Sequence, residues 1–205
     1  MGSSNDEFTS SLIPIVETLQ LRLDVRQLDW LRRHFELLLR WNDRVNLTSI
    51  RNPGEIARRH FGESLFVASV LPLEGGSLVD VGAGAGFPGL PIAVARPEVK
   101  VTLVESVGKK VAFLKEAARG IPNLEVLQGR FENTKGRFDW AALRAVAPKG
   151  ILPFVFQRAS HLAILTTGVK APEILSIRGM HWDAPRYVPW DRRTVLIAGR
   201  VSRGT

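Results

Sequence analysis

Three glycines alternate in Asp80-Val81-Gly82-Ala83-Gly84-Ala85-Gly86, and an acid, Glu105, closes the run Lys100-Val101-Thr102-Leu103-Val104-Glu105. Glycines at this spacing remove the Cβ atoms that would hold a flat ligand away from the backbone. A carboxylate at the end of the following strand is placed to accept hydrogen bonds from ribose hydroxyls. Asp80, two residues ahead of the first glycine, can orient the loop or receive an ammonium group, directly or through water. Together these residues suggest binding of a nucleoside-containing cofactor at a backbone-lined edge.

Such an edge requires a parallel sheet. Apolar runs predict strands near 77–82, 100–105, 124–128 and 138–143, with helices near 87–95 and 108–119 between the first three. That alternation implies right-handed crossovers and places the glycine loop at the carboxyl end of the first strand, where open α/β sheets bind ligands. Later strands are expected from His161 to Thr167 and from Arg193 to Ala198. The stretch 169–190, with Pro172, Pro185 and Pro189, suggests no clear element.

The first seventy residues are read as helical. Asp24 and Gln27 have capping-box spacing, and Leu28, Leu31, Phe35 and Leu38 follow as one apolar stripe. Arg26, Arg33, Arg40 and Arg44 share another face. That face is read first as a solvated stripe, because Glu36 and Asp43 are close enough to pair with it, and second as a phosphate-contacting surface. Asn52, Pro53 and Glu55 open a further helix to about Val70, and Leu73-Glu74-Gly75-Gly76 is read as a linker. The expected organisation is a disordered tail over 1–11, a helical N-terminal extension over 12–74 and a Rossmann-like core over 75–205. Arg-Arg-His-Phe occurs at 32–35 and 58–61 without matching flanks, so no repeat is inferred.

Composition narrows the chemistry. The absence of cysteine excludes disulfides, thiolate zinc sites, iron–sulfur clusters and covalent cysteine mechanisms. The polar, acidic start is not a secretory signal, and no apolar run reaches the length of a membrane span; a cytoplasmic protein without metal or membrane partner is expected. The net charge of +8 is uneven: residues 1–75 carry nine Arg/Lys against ten Asp/Glu, whereas 76–205 carry nineteen against ten. A basic second half suits a polyanion such as nucleic acid.

Two cofactor classes use this layout. A nicotinamide fingerprint needs Gly-x-Gly-x-x-Gly, and Phe87 stands where its last glycine belongs. Asp-x-Gly-x-Gly-x-Gly instead suits S-adenosylmethionine. A nicotinamide oxidoreductase is therefore the weaker alternative, and a non-catalytic RNA-binding protein on the same scaffold is a third reading.

Trp41-Asn42-Asp43-Arg44-Val45-Asn46-Leu47-Thr48 and Arg59-His60-Phe61-Gly62-Glu63-Ser64-Leu65 resemble the leader of the bacterial 16S rRNA guanine-N7 methyltransferases, the glucose-inhibited division protein B family. The loop from Gly82 to Pro91, the segment Glu105 to Leu114, Gly129-Arg130-Phe131-Glu132 and Arg144-Ala145-Val146-Ala147 resemble the family's later motifs. The resemblance covers roughly residues 30–150. It implies an α/β class I S-adenosylmethionine-dependent methyltransferase fold, Rossmann-like, with a mostly parallel sheet and helices on both faces. It also implies methyl transfer to guanine N7 in 16S ribosomal RNA, free or in the small ribosomal subunit, by a chain expected to be monomeric.

By matching motif, the resemblance implies that Gly82, Gly84, Gly86 and Phe87 line the cofactor, Glu105 and Ser106 hold its ribose side, and Phe131 and Glu132 flank its adenine; Asp80 joins the cofactor side by its position ahead of the loop. Arg144 would lie near the transferred methyl and position guanine, and Arg144→Ala is expected to remove activity while leaving the fold intact. Asn42, Asn46, His60, Lys109 and Arg130 are assigned to the substrate side, although Asn42, Asn46 and His60 could equally tie the helical leader to the core. The chain departs from the family pattern at Leu143, usually serine, at Phe131, usually alanine, and in lacking the Lys-Pro-Gly-Gly turn and following Lys-Gly over 150–170.

Overall fold

The computed structural model describes residues 2–145 and 148–202. Four helical elements come first: α1 (Gly2–Thr18), α2 (Val25–Val45), α3 (Pro53–Ile56) and, after a π-helical turn at Ala57–Gly62, α4 (Glu63–Val70). Then follow β1 (Ser77–Val81), α5 (Gly89–Ala95), β2 (Lys100–Glu105), α6 (Gly108–Ala117), β3 (Leu124–Gln128), β4 (Phe138–Arg144) and α7 (Pro148–Arg158). The chain ends in β5 (Ala159–Thr167), α8 (Ala171–Leu175), β6 (Met180–Trp182), β7 (Arg186–Val188) and β8 (Asp191–Val201). Among the described residues, no helix is long and apolar enough to cross a membrane.

The α2 start is as the sequence predicts. Asp24 accepts from the Gln27 N–H at 2.7 Å, and the Gln27 side chain accepts from the Asp24 N–H at 2.8 Å. Leu31, Phe35 and Leu38 of the stripe are fully buried. Of the tail expected over 1–11, residues 2–11 are instead the first part of α1. Phe8, Leu12, Ile15 and Val16 are buried along one face, and Phe8 stacks on Phe35 with centroids 4.2 Å apart. The polar first turn hides this i, i+4, i+7, i+8 pattern.

The sheet runs β3-β2-β1-β4-β5-β8-β6, with β7 also on β8. β1 to β5 are parallel and β8 is antiparallel to β5. Alternate residues of β1 serve two cores, because successive side chains of a strand face opposite ways. Leu78 packs with α2, α4, α5 and α6, whereas Val79 and Val81 pack with α7 and α8. The N-terminal helices thus share one core with one face of the sheet. The strand order reverses between β1 and β4, and the carboxyl ends of these two strands carry the glycine loop and Arg144.

Candidate active site

The loop after β1 is held open by its backbone. Gly82, Gly84 and Gly86 have φ of 72°, 57° and 87°, in the left-handed region that glycine adopts without strain. The N–H groups of Gly82 and Ala83 both donate to the Val104 carbonyl, at 2.9 and 3.0 Å, which fixes the loop to the end of β2. At Gly86 a Cβ would press on Leu114 and His34. At Gly84 it would meet only the Gly82 carbonyl, 3.8 Å away, and at Gly129 nothing within 4 Å. Gly82, Ser106, Gly108 and Lys109 are exposed, as is Val107 at 47%. The lip between β1 and β2 is therefore glycine backbone on the β1 side, with the side chains of Ser106, Val107 and Lys109 exposed on the β2 side.

Two carboxylates brace this lip. Asp80 is fully buried and accepts from the Gly89 N–H at 2.8 Å, so it latches the loop to the start of α5. Burial pushes its pKa up to about 7, against the Gly89 hydrogen bond and the Arg144 charge. A Cβ on Gly89 would collide with Leu103 and Asp80, so only glycine allows this close approach. Glu105 accepts from the Gly84 N–H at 3.0 Å and from the Val107 N–H at 2.8 Å, one bond per carboxylate oxygen. An ionised carboxylate has about four acceptor positions, so Glu105 can hold both sides of the lip and still accept from a ligand.

Across the sheet edge, Arg144 donates to the Glu63 carboxylate and to the Arg59 carbonyl, both at 2.6 Å. Glu63 is 3% exposed, and its other oxygen accepts from the Thr194 hydroxyl at 3.0 Å. Burial pushes the Glu63 pKa up, and the Arg144 charge opposes that. The second terminal nitrogen of Arg144, Nη1, is buried without a partner among the described residues. The leader is tied in beside it. Asn42 clamps Thr48 through two hydrogen bonds, donating to its carbonyl at 2.9 Å and accepting from its N–H at 2.8 Å. The Thr48 hydroxyl accepts from the Ile50 N–H at 3.1 Å and lies 2.7 Å from His60 Nε2. Where this hydroxyl donates to Nε2, the proton of His60 sits on Nδ1, which is buried without a partner among the described residues.

Phe87 joins leader and loop. It stacks on His60 and on His34, each with centroids 4.8 Å apart, and His34 Nε2 donates to the Ala85 carbonyl at 2.8 Å. Burial lowers both imidazoles, His34 to about 4 and His60 to about 3, the latter helped by the charges of Arg144 and Arg59. Both rings are neutral near pH 7.

The expected site residues thus fall into groups. Asp80, Gly82, Gly84, Gly86, Phe87, Glu105 and Ser106 gather at the lip, and Arg144, Asn42 and His60 gather beside it. The Phe131 ring is 2% exposed in the second core, under Arg158, which donates to the Phe131 and Glu132 carbonyls. Asn46 is an exposed left-handed residue capping α2, and Lys109 and Arg130 are exposed. Sequence reasoning missed Glu63, Thr48, His34, Gly89 and Thr194. The first two lie inside the leader motifs and His34 lies on the apolar stripe of α2, so each had a signal; Thr194 had none. The segment over 146–147 lies outside the described residues.

A family model described as rRNA small subunit methyltransferase G matches residues 27–161. A ribosomal RNA small subunit methyltransferase G of Nitrosomonas europaea is 53% identical over 108 residues, covering 51% of this chain and 49% of its own length. The chain therefore spans about half the length of that relative. A protein of the same name from Lactococcus lactis subsp. cremoris is 33% identical over 174 residues, covering 78% of this chain and 71% of its own. Among solved structures, a SAM-dependent methyltransferase from Aquifex aeolicus matches with a TM-score of 0.61 at 17% identity, over 76% of this chain and 97% of that one. At that identity the likeness is one of fold.

Proposed function

We propose that this chain, which belongs to the rRNA small subunit methyltransferase G family, transfers the methyl group of S-adenosylmethionine to N7 of a guanine in 16S ribosomal RNA. The observation that carries the reading is the pairing of a bare glycine lip, braced by Glu105, with a neighbouring buried arginine that has one unspent donor. The residues fit the cofactor. Gly84 and Gly129 leave backbone open to a flat adenosine, Glu105 has acceptor capacity for ribose hydroxyls, and Val107 offers apolar contact. When bound, S-adenosylmethionine supplies an electrophilic methyl on a sulfonium.

The chain's part is alignment. Guanine N7 carries a lone pair and no proton, so displacement at the methyl carbon needs no general base. His34 and His60, whose pKa values burial lowers to about 4 and about 3, are weak bases, which accords with that. Arg144 Nη1 and His60 Nδ1 are donors suited to guanine O6, which presents an acceptor beside N7. Holding O6 fixes the base without consuming the N7 lone pair, and a preset orientation is where such catalysis gains most. A ribosomal RNA substrate goes with a cytoplasmic location. Transfer of label from methyl-tritiated S-adenosylmethionine to 16S RNA tests the reading. Cofactor binding without transfer to naked RNA or assembled small subunits contradicts it and favours an RNA-binding role.

A further inference from the structure

We propose that the groove between the end of α2 and the start of α6 holds single-stranded RNA flanking the target guanine, with phosphates against Arg40, Arg44 and Lys109 and a base on Trp41. The proposal rests on the RNA-substrate reading and assigns that substrate a second contact surface. The groove is lined by these four residues and Val45 and encloses about 670 Å³, within the range of about 300–1,000 Å³ typical of ligand clefts.

The charge argument comes from what the neighbouring side chains already do. Of the four arginines on this face of α2, Arg26 lies over the Trp30 ring and Arg33 donates to the Arg119 carbonyl. The carboxylates expected to neutralise the face are engaged elsewhere. Glu36 accepts from Arg32 at 3.1 Å and from Asn5 at 2.7 Å, and Asp43 pairs with Arg51 at 3.0 Å. Arg40 and Arg44 therefore remain exposed with no ion pair among the described residues, and Lys109 joins them from the first turn of α6. Three like charges line one groove, none of them in an ion pair among the described residues, and the carboxylate beside them, Glu116, is engaged by the Trp41 N–H; the net positive lining points to an anionic occupant.

Trp41 selects the kind of anion. Its indole N–H donates to Glu116 at 3.0 Å, and its ring meets Phe113 edge-on at 6.0 Å, so the plane is fixed while the side chain remains half-buried. A fixed aromatic face beside backbone-binding cations is the arrangement that takes unstacked bases. Duplex bases are already stacked and offer it nothing. Lys109, in the first turn of α6, is the residue the groove and the lip have in common.

The test is fluorescence anisotropy with a fluorescein-labelled single-stranded U12 oligoribonucleotide. Competitors are a 12-base-pair RNA duplex and poly-glutamate. The triple substitution Arg40→Gln, Arg44→Gln, Lys109→Gln should weaken U12 binding at least about tenfold. It should also lower the slope of log K against log salt by about 2, close to 0.7 for each of three phosphates no longer neutralised. Trp41→Leu should weaken binding about fivefold or more without changing the slope. S-adenosylmethionine affinity and melting temperature should hold in the Arg40→Gln, Arg44→Gln double variant, whose changes are both at exposed positions of α2. Wild-type U12 affinity in the triple variant overturns the proposal even if Trp41→Leu fails to fold, as does preference for duplex or poly-glutamate. Methyl transfer to 16S RNA by a wild-type protein whose U12 binding ignores these residues would remove the groove and leave the activity standing. Groove-dependent U12 binding without any transfer would do the reverse.

Discussion

The Arg144 guanidinium sits 2.6 Å from the Glu63 carboxylate, with one terminal nitrogen committed to that pair and the other buried and unspent. The pair joins the end of β4 to the helix that follows the π-helical turn, and Thr194 extends it to β8. The residue proposed to hold guanine is thus also a structural tie between three parts of the fold. This dual role changes what its replacement should do.

Arg144→Ala, expected from sequence to spare the fold, leaves Glu63 as an uncompensated buried charge. Breaking a buried pair from one side costs about 3–5 kcal/mol, so a fall in Tm of about 10 °C should accompany loss of methylation. Adding Glu63→Gln to that variant should restore most of the stability and none of the methylation. Thermal melts and label transfer on both proteins check this; a double variant with full activity excludes a substrate role for Arg144.

Glu105 braces Gly84 and Val107, and under the proposed reading it also holds the cofactor ribose. Calorimetric titration of Glu105→Ala with S-adenosylmethionine should show affinity reduced tenfold or more, about 1.4 kcal/mol. Unchanged affinity would remove the ribose role.

Gly84 in the loop and Gly89 at the start of α5 should respond to substitution to different degrees and in different measurements. Gly84→Ala places a methyl in open space at φ 57°, so the variant should fold with a penalty of about 1–2 kcal/mol and bind S-adenosylmethionine poorly. Gly89→Ala drives a methyl into Leu103 and Asp80, and should cost more stability, about 1–3 kcal/mol or above. Melting and calorimetry on the pair separate the lip from the latch.

The buried titratable groups pull stability in opposite directions with pH. His34 and His60 are lowered to about 4 and about 3 in the fold, so the unfolded chain binds more protons and stability falls as pH drops below 6.5. Asp80 is raised to about 7, so the folded chain binds the extra proton, and its contribution is lost as pH rises from about 4 through 7. Asp80→Asn keeps an acceptor for Gly89 and removes this titration. Relative to wild type, the variant should therefore gain stability from pH 5 to pH 8, as read by Tm at the two values.

The sheet and the lip are legible in the sequence because both are written locally. Apolar runs interrupted by glycine place β1 to β4, and Asp24 with Gln27 marks the start of α2. α7 is hidden because Pro153 lies inside it, where a missing N–H argues against a helix. β6 and β7 are three-residue edge strands beside Pro185 and Pro189, too short to show a period. Glu63 meets Arg144 across 81 positions and Thr194 across 131. No local pattern encodes such a pairing; it exists only once β4, α4 and β8 are side by side.

The most direct measurement of the central claim is where the methyl group lands. After incubation of 16S RNA with the protein and S-adenosylmethionine, borohydride reduction and aniline treatment cleave the strand at N7-methylguanine. A single enzyme-dependent cleavage at one guanine, absent with the Arg144→Ala, Glu63→Gln protein, is the predicted result. Methyl label in the RNA without such a cleavage would place the methyl elsewhere and contradict N7 transfer.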